Sequence, residues 1–169
     1  MSQAQANDTR QAIAGDNVVT MPSEHQIVTE RVFDAPREWV FAAFSDPDLI
    51  PEWWGPRRLT TVVERMDVRS GGGWRFACHD SKGPVETFRG TYGEVVPPER
   101  IAQTFEWEGM QGHLIVETTI FENLDGCTKV RTTSGFPTRE LRDRMLASGI
   151  MGDSYERLDE LLVSLGFGW

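Results

Sequence analysis

The stretch "TRELRDRMLASGIMGDSYERLDELLVSL" (Thr138–Leu165) predicts one long amphipathic helix near the end of the chain. Apolar and small side chains recur in it every three or four residues, which places them on one helical face. The positions on this face are Leu141, Met145, Ser148, Gly152, Tyr155, Leu158, Leu162 and Leu165. The face continues in register past two glycines that disfavour a straight helix. We therefore predict one helix from Arg139 to Leu165, bent or broken in the region Gly149–Gly152, with the bend near Gly152.

The region before this helix has the pattern of an antiparallel sheet. A first strand, "QIVTERVF" (Gln26–Phe33), precedes two short helical segments that contain prolines near their starts. Six further strands are predicted at Arg58–Met66, Gly73–His79, Glu86–Val96, Ile101–Glu108, His113–Glu122 and Thr128–Ser134. Short turns rich in glycine and proline separate them, and such connections require antiparallel neighbours. The predicted fold is α+β: a curved, seven-stranded antiparallel sheet around a long C-terminal helix, with two short helices after the first strand.

Composition restricts the classes of partner. The 169 residues suit one folded domain, and 17 Lys and Arg against 26 Asp and Glu give a net charge of −9. This balance argues against nucleic acid and against anionic membrane surfaces, since both require a concentrated basic surface. No segment is apolar over the length needed for membrane insertion. Residues 1–23 are polar and without periodicity, which predicts a disordered or loosely ordered tail before a domain at residues 24–169.

The cysteines and the start of the chain bear on location. Cys78 and Cys127 are the only cysteines, and no apolar run opens the sequence. These features predict reduced thiols in a cytoplasmic protein, either a monomer or a homodimer.

Strand alternation predicts which side chains face the helix. One helix cannot fill a wide curved sheet, so we expect a cavity between them, with aromatic walls and a few polar groups, as is typical of sites for apolar or amphipathic molecules. The predicted ligand-binding residues are Trp54, Trp74, Phe76, Phe88, Tyr92, Gln103, Phe105, Trp107, Val116, Thr118 and Met145. The opposite, outward faces are predicted to carry Arg75, Arg89, Glu106, Glu108 and Glu117. The alternative is that these aromatic side chains fill a solid core.

The adjacent tryptophans in "DLIPEWWGPRRL" (Asp48–Leu59) lie on a corner constrained by prolines and a glycine. Neighbouring side chains on such a corner cannot both point the same way. We predict that Trp53 is a buried anchor and that Trp54 is less buried, at the mouth of the cavity.

Several blocks of the sequence together resemble a known family. They are "DAPREWVFAAFSDPDLIPEWWGP", "VRSGGGWRF", "GTYGEVVPPERIAQTFEW", "TKVRTTSGFPT" and "YERLDELL", which span roughly residues 26–165. In order and spacing they resemble the homologues of the activator of heat-shock-protein-90 ATPase, within the START-like (SRPBCC) helix-grip superfamily. The resemblance implies the helix-grip fold. One departure is Gly149-Ile150-Met151-Gly152, where such proteins often have Gly-Trp entering the last helix.

Relatives in this superfamily include ligand carriers, cyclases and resistance proteins, so the resemblance implies a fold more firmly than a function. The family is named after a co-chaperone with an additional chaperone-binding domain. We expect no direct ATPase activation by the single domain predicted here.

Catalytic chemistry has little support in the sequence. His25, His79 and His113 are scattered over different elements, so neither a metal site nor a cofactor is expected. The sequence contains no motif for a nucleophilic triad or for a phosphate-binding loop. Catalytic residues are therefore unknown, and Tyr92 is the candidate internal acid. The predicted function is binding of a small apolar or amphipathic molecule. The alternatives are a cyclase- or hydrolase-like enzyme using the same cavity and, third, a chaperone-associated partner.

Overall fold

The strands of the protein form one antiparallel sheet. The structure is a computed structural model that describes residues 17–167. They are β1 (Val18–Thr20), β2 (Gln26–Phe33), β3 (Thr60–Met66), β4 (Gly73–Asp80), β5 (Gly83–Val96), β6 (Arg100–Trp107), β7 (Ile115–Leu124) and β8 (Cys127–Gly135). Their order in the eight-stranded sheet is β1-β2-β8-β7-β6-β5-β4-β3. Every neighbouring pair is antiparallel, as the short connections require.

Helices pack on one face of this sheet, here called the inner face. They are α1 (Arg37–Ser45), α2 (Ile50–Trp53), α3 (Arg139–Ser148) and α4 (Ile150–Ser164), with a short 3₁₀ turn at Glu108–Met110. Buried side chains of α3 and α4 join those of the strands in a single core. The predicted α+β helix-grip architecture is confirmed. In the described part of the chain, no helix has the length and apolar character needed to cross a bilayer.

The sheet has one strand more than predicted. Val18–Thr20 pairs with β2 through Val18 opposite Glu30 and Thr20 opposite Val28. Three residues are too few to show a period-2 pattern, so this strand could not be distinguished from the polar segment around it. The rest of the predicted tail, residues 1–16, lies outside the described residues.

The predicted break in the C-terminal helix lies at Gly149 and not at Gly152. Gly149 has φ +70°, ends α3 and begins α4. Glycine adopts this left-handed conformation without the steric cost that a Cβ brings. Gly152 lies inside α4, where an added Cβ would meet only the Nδ2 of Asn17, at 3.8 Å. Neither special geometry nor close packing therefore requires glycine at residue 152.

Alanine at these two glycines is expected to shift stability in opposite directions. Gly152→Ala should raise the free energy of unfolding by about 0.5–1 kcal/mol, because alanine is the better helix former. Gly149→Ala should lower it by about 1–2 kcal/mol, since alanine is strained in the left-handed region. Urea unfolding of each variant measures both values, and shifts of the same sign would contradict this account.

Strand β7 presents the face opposite to the predicted one. Ile115 and Phe121 are each 1% exposed, whereas Val116 is 57% exposed and Ile120 is 45% exposed. The predicted inward placement of Val116 and Thr118 is therefore wrong, and the alternate residues Glu117 and Thr119 face the helices. Both faces of β7 carry large apolar side chains, so apolar alternation could not select the inner face. The charge of Glu117 then led to the prediction that its face points outward.

Candidate functional site

A cavity of about 110 Å³ lies between the inner face of the sheet and helices α2, α3 and α4. Its aromatic wall consists of Trp54, Trp74, Phe76, Tyr92 and Phe105. Its polar floor consists of Thr29, Gln103, Glu117, Thr119, Thr132, Ser134 and Tyr155. The helices close it with Phe44, Ile50, Trp53, Met145, Ile150, Met151 and Ser154. A space of this size suits a molecule built around one small ring, and it lies below the roughly 300–1,000 Å³ of sites for drug-sized ligands.

The aromatic wall is held by ring-to-ring contacts. The Trp54 ring lies 5.1 Å from Phe76 and 6.4 Å from Trp74, both edge-to-face, and Trp74 lies 4.8 Å from Phe76. Such contacts fix the rings relative to one another. Trp74 faces Gly90 on β5, where an added Cβ would lie 2.6 Å from the indole Nε1. Glycine at residue 90 is therefore required for the close approach of this indole.

The two adjacent tryptophans differ in burial as predicted. Trp53 is 2% exposed and its Nε1–H donates to the carbonyl oxygen of Ala43 at 2.9 Å, whereas Trp54 is half-buried. Helix α4 holds the corner after them: the Gly55 N–H donates to Ser154 Oγ at 3.1 Å, and Arg157 donates to the Gly55 carbonyl oxygen at 3.2 Å. The corner is thus fixed to the C-terminal helix, and both indoles border the cavity.

Glu117 is the only carboxylate of the polar floor. It lies between Gln103 on β6 and Ser134 on β8, and the Ser134 hydroxyl donates to its Oε2 at 3.1 Å. Its side chain is half-buried and lines the cavity. Burial raises the pKa of the Glu117 carboxyl, and the hydrogen bonds from Ser134 and Gln103 oppose that rise. Within residues 17–167 no basic side chain forms an ion pair with it.

Hydroxyl groups make up the rest of the floor. The Thr119 and Thr132 hydroxyls are 3.0 Å apart, and the Tyr155 hydroxyl of α4 lies 3.2 Å from that of Thr132. Burial raises the pKa of Tyr155, and burial also raises the pKa of Tyr92 on the opposite wall. Both phenols therefore stay protonated at neutral pH, where they can donate hydrogen bonds but cannot act as bases.

The structure brings most of the predicted ligand-binding residues around this cavity: Trp54, Trp74, Phe76, Tyr92, Gln103, Phe105 and Met145. Val116 and Thr118 do not line it. Phe88 is fully buried behind the wall, 5.4 Å from Trp54 and 5.1 Å from Phe105. Trp107 lines a second, more open pocket instead.

The polar floor as a group was not predicted from the sequence. The signal for it lies in the strand pairing, because Gln103, Glu117 and Ser134 are direct neighbours on three adjacent strands. This register depends on contacts between strands that are distant in the chain, so single-strand alternation could not reveal it.

Glu117→Gln is expected to remove part of the pH dependence of stability. The folded-state pKa is raised above the ordinary value of 4.5, so the folded protein keeps a proton that the unfolded chain loses as the pH rises. The contribution of the wild-type residue to stability is full below the unfolded-state pKa and is lost as the pH rises through the folded-state pKa. Relative to wild type, Glu117→Gln should therefore become progressively more stable as the pH rises above 4.5 and through the folded-state pKa of Glu117.

Thermal melts of both proteins across this range measure the difference. Glu122→Gln, an exposed carboxylate on the same strand, is the control and should follow the wild-type profile. A Glu117→Gln difference that is constant or falls with pH would contradict a raised pKa at this residue.

The cysteines and the acidic groups offer no further reactive centre in the described part of the chain. Both cysteines are free; Cys78 is buried with its Sγ 3.6 Å from the Thr61 hydroxyl, and burial raises the pKa of its thiol, which disfavours the nucleophilic thiolate. Between residues 17 and 167, no three His, Cys, Asp or Glu side chains are grouped as a metal site requires.

Comparison with known proteins gives one family and a set of related structures. The model of the family described as "Activator of Hsp90 ATPase homolog 1-like protein" (AHSA1) matches residues 34–163. A crystal structure from Rhodobacter sphaeroides has a TM-score of 0.81 at 23% identity and covers 88% of this chain and 99% of its own. A comparison with curated proteins returns no match.

Two further crystal structures have the same fold. A protein from Chromobacterium violaceum has a TM-score of 0.72 at 26% identity, covering 83% of this chain and 97% of its own. The AHSA1 protein from Silicibacter pomeroyi has a TM-score of 0.70 at 22% identity, covering 82% of this chain and 97% of its own.

Proposed function

This chain belongs to the Activator of Hsp90 ATPase homolog 1-like family, and we propose that it binds a small amphipathic molecule between its sheet and its C-terminal helices. START-like domains commonly bind hydrophobic ligands in this place. The observation that carries the proposal is the pairing of five aromatic or phenolic side chains with a polar floor around one cavity. An apolar body against the wall and a polar group on the floor satisfy both surfaces.

The helix break supports a route to this cavity. A second pocket of about 540 Å³ is lined by Arg58, Trp107, Met110 and Arg144, among others, and shares Ile150 with the cavity. Ile150 is the first residue of α4, directly after the left-handed Gly149. We propose that the ligand enters here, with the Ile150 side chain as the boundary between the two spaces.

Trp54→Ala is expected to weaken binding of small amphipathic probes such as benzyl alcohol and hexanol by at least fivefold. Trp54 borders the cavity and contacts the other rings of the wall. The measurement is a titration followed by tryptophan emission, confirmed by calorimetry. Trp39→Ala is the matched control, because Trp39 is 46% exposed and contacts Phe167 outside the cavity. If no probe from a broad apolar and amphipathic set binds the wild-type protein, the proposed function is refuted.

A second candidate is an enzyme of the cyclase or hydrolase class that uses the same cavity. Glu117 favours it, since a carboxyl in the cavity whose pKa is raised keeps its proton to a higher pH than an exposed carboxyl and can transfer it to a bound molecule. Native mass spectrometry of protein purified from its own host separates the two candidates. An unaltered molecule that stays bound supports carriage, whereas conversion of that molecule on incubation supports catalysis.

The setting proposed for this activity is the cytoplasm, with the protein as a monomer or homodimer. Free thiols at Cys78 and Cys127 support a reducing compartment. The net charge of −9 supports small-molecule partners over nucleic acid.

A further inference from the structure

We propose that the molecule bound in this cavity is a compact amine in its cationic form, with its ammonium group on Glu117 and its apolar body against the aromatic wall. This inference rests on the proposed binding function and names the chemical class of the ligand.

The charges around the cavity favour a cation. Glu117 is half-buried and lines the cavity, and none of the residues that line the cavity is Lys, Arg or His. The guanidinium of Arg31 is already engaged on β2, where it pairs with Asp159 of α4 and donates to Asn17 Oδ1 at 2.9 Å. An ionised carboxylate that is enclosed without a counter-ion is strongly unfavourable, and a bound cation removes that cost. A bound anion would increase it.

The aromatic wall of the same cavity also favours a cation. Trp54, Trp74, Phe76 and Phe105 contribute ring surfaces to the same small space, and cations are attracted to the faces of such rings. An ammonium near these rings is therefore stabilised from the wall as well as from the floor.

The hydrogen bonds of the floor also suit an ammonium. An ammonium has up to three donors and no acceptor, so it requires oxygens that can still accept hydrogen bonds. A carboxylate accepts several, and Ser134 and Gln103 supply two of those of Glu117. The hydroxyls of Thr119, Thr132 and Tyr155 are connected to one another. Glu117 is thus the strongest acceptor that the floor presents.

Binding of an ammonium is also expected to change the number of protons bound to the protein. The titratable groups that line the cavity with Glu117 are Tyr92 on β5 and Tyr155 on α4. Tyr155 is also close enough to Arg31, which pairs with Asp159, for that charge to lower its pKa. Burial raises the pKa of both tyrosines, so they keep their protons near neutral pH. The cation favours the ionised form of Glu117, which releases a proton on binding. Affinity should therefore rise with pH until Glu117 is already ionised in the free protein.

Benzylamine, benzyl alcohol and benzoic acid test the proposal, because they share one ring and differ in charge. Calorimetry in two buffers of different ionisation enthalpy measures affinity and proton release, and tryptophan emission follows occupancy. We expect benzylamine to bind at least tenfold more tightly than benzyl alcohol, with benzoate the weakest. Benzylamine binding should release protons below the folded-state pKa of Glu117 and strengthen as the pH rises through that pKa.

Glu117→Gln should weaken benzylamine at least tenfold and leave benzyl alcohol within about twofold. Glu122→Gln removes the same charge from the exposed face of β7 and should leave both affinities unchanged. Glu117→Asp keeps the charge and should retain the preference for the amine, which gives a second variant if the glutamine protein fails to fold.

The results separate this inference from the proposed function. If benzyl alcohol binds as tightly as benzylamine, or if folded Glu117→Gln keeps the amine preference, the amine proposal is overturned and the binding function stands. If none of the three probes binds the wild-type protein, the amine proposal fails, and the broad set of apolar and amphipathic probes decides the binding function separately.

Discussion

Trp53→Ala is expected to lower the free energy of unfolding by about 3–5 kcal/mol, the usual cost of truncating a fully buried tryptophan. Trp53 is 2% exposed, its ring lies 4.7 Å from that of Phe44, and its Nε1–H donates to the carbonyl oxygen of Ala43. Truncation removes all of these contacts and leaves an empty space that adjoins the existing cavity. The surrounding helices cannot collapse into this space without displacing the corner of the chain at Gly55.

Trp54→Ala should cost less than half as much, because its half-buried ring already borders open space. Urea unfolding of both variants measures the difference, and Trp39→Ala, at an exposed tryptophan, should cost less than about 1 kcal/mol. Equal losses for Trp53→Ala and Trp54→Ala would mean that the two indoles have the same structural role.

Asp159→Asn is expected to cost about 3 kcal/mol, because it leaves the Arg31 guanidinium buried without a counter-charge. The Arg31 side chain is 5% exposed and pairs with Asp159, whose side chain is 24% exposed. Its Nη1 keeps the contact with Asn17, and its Nε has no partner among the described residues. The partial exposure of Asp159 places the expected loss at the lower end of the range for breaking buried ion pairs.

Arg31→Met tests whether the loss of stability comes from a buried charge without a partner. The single change leaves Asp159, which can reach water, and should cost less than Asp159→Asn. The double variant Arg31→Met/Asp159→Asn should recover most of the loss, since no unpaired buried charge remains. Chemical unfolding of all four proteins completes a double-mutant cycle. A double variant that loses the sum of the single losses would contradict this explanation.

The same ion pair affects the cavity. Asp159 follows Tyr155 by one helical turn on α4, and Tyr155 packs edge-to-face on Phe33 at 5.7 Å while its hydroxyl contacts Thr132. The pair thus holds α4 against β2 beside the polar floor. Asp159→Asn should loosen this contact, and its effect on probe binding is expected to follow its effect on stability.

Local patterns in the sequence were enough to predict most elements of the fold, with the exception of the short strand β1. The three- and four-residue spacing of Leu141, Met145, Tyr155 and Leu158 identifies the helical face, and these side chains are buried in the core. Turn residues between short strands predict antiparallel pairing, because few residues can connect only neighbouring strands that run in opposite directions. The proline and glycine positions around Trp53 and Trp54 predict their different burial in the same local way.

The composition of the cavity depended on contacts between residues that are distant in the chain. Both faces of β7 carry large apolar side chains, so alternation alone does not decide which face points inward. Pairing with β6 and β8 places Glu117 and Thr119 on the inner face. A shift of one residue in that pairing would place Val116 and Thr118 there instead. The location of the helix break is similar: Gly149 and Gly152 both permit a bend, and the packing of α3 and α4 on the sheet places the left-handed residue at 149. A local pattern specifies which conformations a segment tolerates, and the free energy of burying one face against the rest of the chain selects among them.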